Sequence, residues 1–351
     1  MSPPSSVLRR ARRWFARLHP VAARPPRDRR RNLELREAID MVVAGTDPRI
    51  RAVSGYGRKL RPAVERMLAY LSACGSWLTP PIELSASAWS TSPLLHMLFA
   101  SADELREVFG RSPELRAFFR DHPHSTEAFV GLGATRGALR TLGPALADDA
   151  LQREVAQTVV QFTDHSVFGV CDGEHELRAQ VERRGFAFLV GEALERLVAE
   201  HARRHGPEAA RQLLPLQLKA LEHKQRAVDT LYDPPGTTDA RLAALREQVR
   251  NGQLALAEAD NLPVSLDDCI THLGEVLSHP ELHLAEKRTS LRVNRMNVKI
   301  DAASEPSEQV VFSEIIIGAR APRVVVLGRI LRSELLPEHG RPDGAAPRRG
   351  D

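Results

Sequence analysis

Asp268, His272, Glu275 and His279 recur at spacings of four, three and four residues, which on a helix puts all four on one side. With Asp267, Cys269 and His283 close by, this is the densest cluster of polar and ligating side chains in the chain. Imidazole and carboxylate together suit zinc or another divalent transition metal. On that reading His272, Glu275 and His279 are the ligands, and Asp268 or the 164–175 region completes the shell. A carboxylate beside a histidine also suits an acid–base pair. The competing reading is that Leu266, Ile270, Leu273 and Leu277 form an ordinary apolar helix face and the polar residues are its solvated side.

Other constellations point less sharply. His201 and His205 stand at metal-ligand spacing, but Arg203 and Arg204 crowd them, and cationic or polar side chains also suit a helix end before Gly206-Pro207. Asp164, His165, Cys171, Asp172, Glu174 and His175 gather around Gly169, between two expected helices. The run Gly131-Leu-Gly133-Ala-Thr-Arg-Gly137 has no strongly apolar strand before it, so it reads as a loop or a close helix contact rather than a dinucleotide site. No G-x-x-x-x-G-K-[ST] and no G-x-S-x-G occurs. Cys74, Cys171 and Cys269 are far apart and odd in number, which argues for a reducing compartment and for buried thiols rather than nucleophiles.

The elements that must position these residues read as helices over most of the chain. Apolar residues make up 42% and aromatics only 5%, so the core is expected from Leu, Val and Ala. Leu35–Val43 and Leu60–Leu71 form helical stripes. Ser101 with Glu104 fits a capping box, and Ser112-Pro113 is a second helix start. Leu146–Phe162 reads as a helix after Gly143-Pro144, and a longer helix runs from about Glu174 to His205, its middle weakened by Gly185 and Gly191 so that one helix or two pieces are both open. Two heptad-like seams, Leu214 to Tyr232 and Leu242 to Leu256, are separated by Asp233-Pro-Pro-Gly236 and predict an antiparallel helical hairpin over 208–258. Thr289–Ile300, Gln309–Ile317 and Arg323–Leu331 are β-branched and read as three strands. The runs Ile315–Ile317 and Val324–Val326 are continuously apolar and must be shielded on both faces or mark an interface.

Charge is unevenly placed. Residues 1–31 hold ten arginines and one acid, a net +9 within a chain total of +4, which leaves −5 for the body. In this arm Val7, Leu8, Ala11, Trp14, Phe15 and Leu18 share one stripe of a helix, and Arg9, Arg10, Arg12, Arg13 and Arg17 fill the rest. A Pro/Arg linker follows to Arg31. Such an arm suits an anionic membrane surface, nucleic-acid phosphates, a groove on a protein partner or organelle targeting. No apolar run is long enough for a spanning helix, and no apolar stretch follows the early arginines as an export signal requires.

The expectation is a mainly α protein: a basic arm and linker over 1–31, a helical domain over 32–285 with the long hairpin, a small antiparallel β meander over 286–336 packed on the helices, and a tail over 337–351. The expected function is a non-catalytic scaffold or adaptor, cytoplasmic or peripheral to a membrane. Residues 5–31 would tether it to an acidic surface or partner, and the hairpin and C-terminal strands would face a protein partner or a second copy. A metal-dependent enzyme and a nucleic-acid binder acting through the arm are the alternatives.

Overall fold

The computed structural model describes residues 27–147, 150–206, 213–232, 242–247, 249–250, 265–300, 307–318 and 320–335. The stripe from Val7 to Leu18, the tail from 337 and the turn and distal end of the expected hairpin lie outside the described residues.

Three groups of elements build the body. Helices α1 (Arg27–Gly45) and α2 (Tyr56–Trp77) come first, followed by the two-residue strand β1 (Ile82–Glu83). Four short helices then follow: α3 (Ala86–Trp89), α4 (Pro93–Leu98), α5 (Ala102–Gly110) and α6 (Pro113–Asp121). The long strands β2 (Glu127–Ala147) and β3 (Ala150–Cys171) lead into α7 (Glu174–His205) and α8 (Leu214–Tyr232). Helix α9 (Leu266–Ser278) precedes β4 (Leu284–Val293), β5 (Glu308–Ile317) and β6 (Arg323–Leu331).

The expectation of a mainly α chain with a small C-terminal meander is overturned. The six strands form one large sheet, curled into a half-barrel, in the order β3-β2-β6-β5-β4, with β1 parallel to β6. The segment expected to be a glycine loop and then a helix over Leu146–Phe162 supplies the two longest strands. Leu and Ala in β2 favour helix locally, but strand formation depends on what a residue packs against across the sheet. Gly131 leaves the space that the Phe168 ring of β3 fills. β3 itself is rich in β-branched residues, Val155, Thr158, Val159, Val160, Thr163, Val167 and Val170. The curl is tightened after β4, where the chain turns at Asn297 (φ 58°). The returning Val298 and Lys299 bond β3: Val160 N–H donates to Asn297 O at 2.9 Å and Lys299 N–H to Thr158 O at 2.8 Å. Beyond Thr135, where pairing with β6 ends, β2 and β3 continue as a pair that exposes Leu139 and Leu142, and β3 keeps its bonds to residues 297–299 on its other edge.

Each face of the sheet has its own cover. Val130, Leu132, Phe312, Val324 and Val326 pack against Leu95, Phe99, Phe109 and Leu115 of the short helices. Ser101 and Ser112 cap α5 and α6 as expected, and Glu104 completes the first cap by accepting from Ala100 N–H at 2.6 Å. On the other face Val325, Leu327 and Phe168 meet Leu78 and Leu177. Ile317 joins the bundle of α1, α2, α7, α8 and α9. The apolar run of β6, Val324–Val326, is thus shielded on both faces by its own chain, whereas in β5 Ile317 is buried and Ile315 and Ile316 are partly exposed.

Helix α7 runs unbroken from Glu174 to His205, and its two glycines are contact points rather than breaks. A Cβ at Gly185 would stand 2.6 Å from Leu71 Cδ2, and one at Gly191 2.9 Å from Ala220 O. α8 lies along α7, burying Leu216, Ala220 and Ala227. Residues 242–247 are helical, and Arg246 pairs with Glu222 of α8 at 3.0 Å.

Candidate functional site

Where α2 and α7 rest on the sheet, packing is incomplete. A narrow cleft with an interior of about 60 Å³ and a mouth open to solvent lies between them. Leu71, Cys74, Gly75 and Leu78 of α2 form one wall, and Val181, Glu182, Arg184, Gly185 and Phe188 of α7 form another. The floor is the sheet: Phe168, Leu284, Ala285, Glu286, Ile315, Ile317 and Val325, with Ala227 of α8 closing one side. The lining is apolar apart from a few converging polar groups, the general character of a small-molecule site.

Local sequence sets this geometry. Gly75 has no side chain, and Glu182 Oε1 occupies that space, 2.9 Å from where a Cβ would stand. Arg178, one turn before Glu182, reaches across to the end of α2, where Nη1 donates to Gly75 O at 2.6 Å and Leu78 O at 3.2 Å. It thereby satisfies the last carbonyls of that helix and fixes the two walls to each other. Tyr70 ties α2 to the sheet by donating to Leu284 O at 2.6 Å.

The polar groups are held away from water. Burial pushes the Glu182 carboxyl up to about 7, against the pull of His175, Arg183 and Arg178. Burial also raises Glu286, opposed by the nearby Ser313 hydroxyl and by Arg288. Oε1 of Glu286 and Oγ of Ser313 are both buried from solvent and lie beside each other. Burial pushes the Cys74 thiol up to about 11, with Glu286 and Glu182 adding to the effect, so it is protonated at neutral pH. The surrounding arginines are engaged: Arg183 with Glu176 at 2.6 Å, Arg178 with Glu174 at 2.8 Å, and Arg184 over the Phe168 ring at 5.1 Å.

The residues singled out by spacing lie elsewhere. His272, Glu275, His279 and His283 do share one groove, open to solvent, with Arg196, Glu200, Arg203 and Arg204 of α7. Within it they pair off rather than converge. His272 Nδ1 is 3.4 Å from Glu275, exposed His279 ends α9 and stands 3.6 Å from Glu281, and buried His283 stands 3.6 Å from Glu192. Among the described residues no group of three or more His, Cys, Asp and Glu is placed to hold a metal ion. Asp267 pairs with Lys59 at 2.6 Å, and Asp268 sits exposed in the first turn of α9. His201 and His205 stack at 4.4 Å at the end of α7.

The cluster around Gly169 is divided by the sheet. His165 turns to the short helices, its Nε2 2.7 Å from Leu98 O and its ring on Phe99, while Cys171 joins the opposite face. All three cysteines are free, and Cys171 and Cys269 are buried. The expected surface arm, Arg9, Arg10, Arg12, Arg13, Trp14, Phe15, Arg17 and Leu18, lies outside the described residues. Among the described residues no helix is long and apolar enough to cross a membrane.

Glu182, Glu286 and Cys74 were not distinguishable by spacing, because they lie on three separate elements. The one local signal was Glu182 itself: it falls on the buried side of α7, three residues before Gly185 and four before Phe186. No family model, curated protein or solved structure matches this chain.

Proposed function

We propose that this chain is a non-catalytic binding protein that takes an apolar small molecule between α2, α7 and the sheet. The observation that carries the reading is the pocket itself, an apolar cleft at the junction of bundle and sheet whose carboxyls are kept from water. A buried acid is destabilising unless something uses it, and perturbed acids in a cleft mark candidate sites. The pocket offers little to support covalent chemistry, since its thiol is protonated and its neighbouring arginines are engaged. A carboxyl near neutrality also suits proton transfer, which favours an acid–base enzyme as the second reading.

The scaffold or adaptor role fits this reading, with ligand occupancy setting how α2 and α7 sit on the sheet. The basic residues of 5–31 would tether the protein to an acidic surface or partner. The outer edge of β2 beyond Thr135, without a strand partner among the described residues, is the edge offered to a protein partner, more so than β6, which is covered on both faces.

The test uses toluene as a neutral apolar probe. Binding to the folded state alone raises the thermal midpoint. The full chain should melt higher in toluene-saturated buffer, and Val181→Phe, which adds a ring to the pocket wall, should remove the increment while remaining folded. An unchanged midpoint in the parent chain, or an equal increment in Val181→Phe, would overturn the reading.

A further inference from the structure

We propose that the groove between α1 and α2 binds the phosphate backbone of a single-stranded nucleic acid, as the inner end of a basic track that starts in the N-terminal arm. The inference rests on the reading that residues 5–31 tether the protein to an acidic partner, and names that partner; the apolar cleft plays no part in it.

The groove has an interior of about 460 Å³ and is open to solvent. Arg36 and Asp40 line it from α1, and Tyr56, Gly57, Arg58 and Arg61 from α2. Three arginines against one acid leave it at +2, on a body that carries −5 outside the arm. Elsewhere on the described surface exposed arginines are held by acids: Arg111 by Glu107, Arg196 by Glu192, Arg204 by Glu200 and Arg246 by Glu222. Arg36 and Arg58 are exposed and make no ion pair or side-chain hydrogen bond among the described residues. Arg61 donates to the Asn32 side chain, which ties the two walls together. The acid of the groove, Asp40, accepts from the Tyr56 hydroxyl at 3.4 Å rather than from an arginine. Like charges gathered without counter-charges raise the local potential and draw in a charge of opposite sign.

The groove runs on into the arm. Arg27, Arg29, Arg30 and Arg31 open α1, and Arg36 follows Arg31 after about 7.5 Å of helix rise. Six further arginines precede Arg27. A track of this extent calls for a partner charged along its whole length. A nucleic-acid strand carries one charge per ~3.4 Å, and the planar fork of arginine meets a phosphate with two parallel hydrogen bonds. A bilayer is flat and would touch the rims of the groove rather than the arginines of both walls. A duplex is too thick to enter a furrow between two packed helices, whereas a single strand can lie along it.

The experiment is a fluorescence-anisotropy titration of the full chain with a labelled oligodeoxythymidylate, from about 0.05 to 0.3 M salt. Arg36→Gln combined with Arg58→Gln removes two phosphate contacts and leaves the arm intact. Both side chains are exposed, so this variant should fold. At about 0.1 M salt it should bind about twentyfold more weakly, and the slope of log K against log salt concentration should flatten by about 1.4. Gly57→Trp is a second test that leaves the charge alone: a Cβ there meets nothing within 4 Å, and the added ring should occupy the groove and weaken binding. Asp40→Asn should tighten binding severalfold. Affinity and slope unchanged in the double variant, with affinity unchanged in Gly57→Trp, overturn the groove proposal and leave the tether to the arm alone. If the parent chain ignores the strand but binds vesicles containing phosphatidylserine, the partner is a membrane: the nucleic-acid proposal fails and the tether reading stands. If it binds neither, the tether reading fails as well.

Discussion

On the face of the sheet turned to the short helices, Val130, Leu132, Phe312, Val324 and Val326 meet Leu95, Phe99, Phe109 and Leu115, and none is more than 1% exposed. On the face turned to the long helices, Phe168, Ile315 and Val325 meet α2 and α7 across a cleft that also holds Glu182 and Glu286. The same strands build both, often through neighbouring residues such as Val324 and Val325. Close packing is the ordinary state of a protein interior, so the filled face needs no explanation beyond stability. The second face keeps empty space, the buried acid Glu182 and the half-buried Glu286, and both the space and the buried acid oppose folding. The difference separates the region that holds the fold together from the region where the fold forgoes stability.

Truncations on the two faces put the contrast to its strongest test. Phe312→Ala, on the filled face, should lower the unfolding free energy by about 3–5 kcal/mol in urea denaturation. Val181→Ala, on the pocket wall, should lower it by less than about 1.5 kcal/mol, because the removed methyls border existing space. Equal losses would mean that the pocket wall is packed as tightly as the core.

The next effect comes from Glu182. Its folded-state carboxyl titrates near 7, above the usual carboxylate value, so folding holds a proton that the unfolded chain releases. Below about pH 4.5 both states are protonated and nothing is lost; stability then falls as pH rises towards 7 and the full loss persists above it. Glu182→Gln removes this dependence. It should be nearly neutral at pH 4.5 and stabilise by at most ~3 kcal/mol at pH 8, the ceiling set by the shift itself. A stabilisation that does not grow with pH would show that the acid is ionised in the empty pocket.

Smaller effects sharpen the boundary. Ser101→Ala removes the α5 cap behind the filled face and should cost about 1 kcal/mol. His272→Ala, in the open groove, should change stability by less than about 0.5 kcal/mol, since its neighbour Glu275 is largely exposed. A larger loss, or loss of a metal that copurifies with the parent chain, would return attention to that groove.

How far the sequence foretold this contrast varies by element. The ends of helix α7 were legible, because Gly206-Pro207 stops it and its apolar stripe is long, but its continuity was not, since Gly185 and Gly191 could equally divide it into two pieces. The caps at Ser101 and Ser112 were legible because capping is local chemistry. Strands β5 and β6 were legible from their β-branched runs. β2 was not, since its Leu, Ala and Gly favour no strand until Phe168 and β6 lie alongside. Without β2 and β3 in the sheet, the three C-terminal strands looked like a small meander. The pocket was least visible of all. Clustering along the chain pointed to His272, Glu275 and His279, whereas Cys74, Glu182 and Glu286 are brought together only by the sheet that β2 and β3 help to form.

The most direct test of the account is a methyl-resolved NMR titration of the full chain with toluene. Shifts should be confined to the methyls that line the pocket, such as Leu71, Leu78, Val181, Leu284, Ile315 and Val325, with Val130, Leu132 and Val324 unmoved although Val324 adjoins Val325 in the same strand. Shifts of equal size on both faces, or none on the long-helix face, would contradict the claim that the two faces differ in kind.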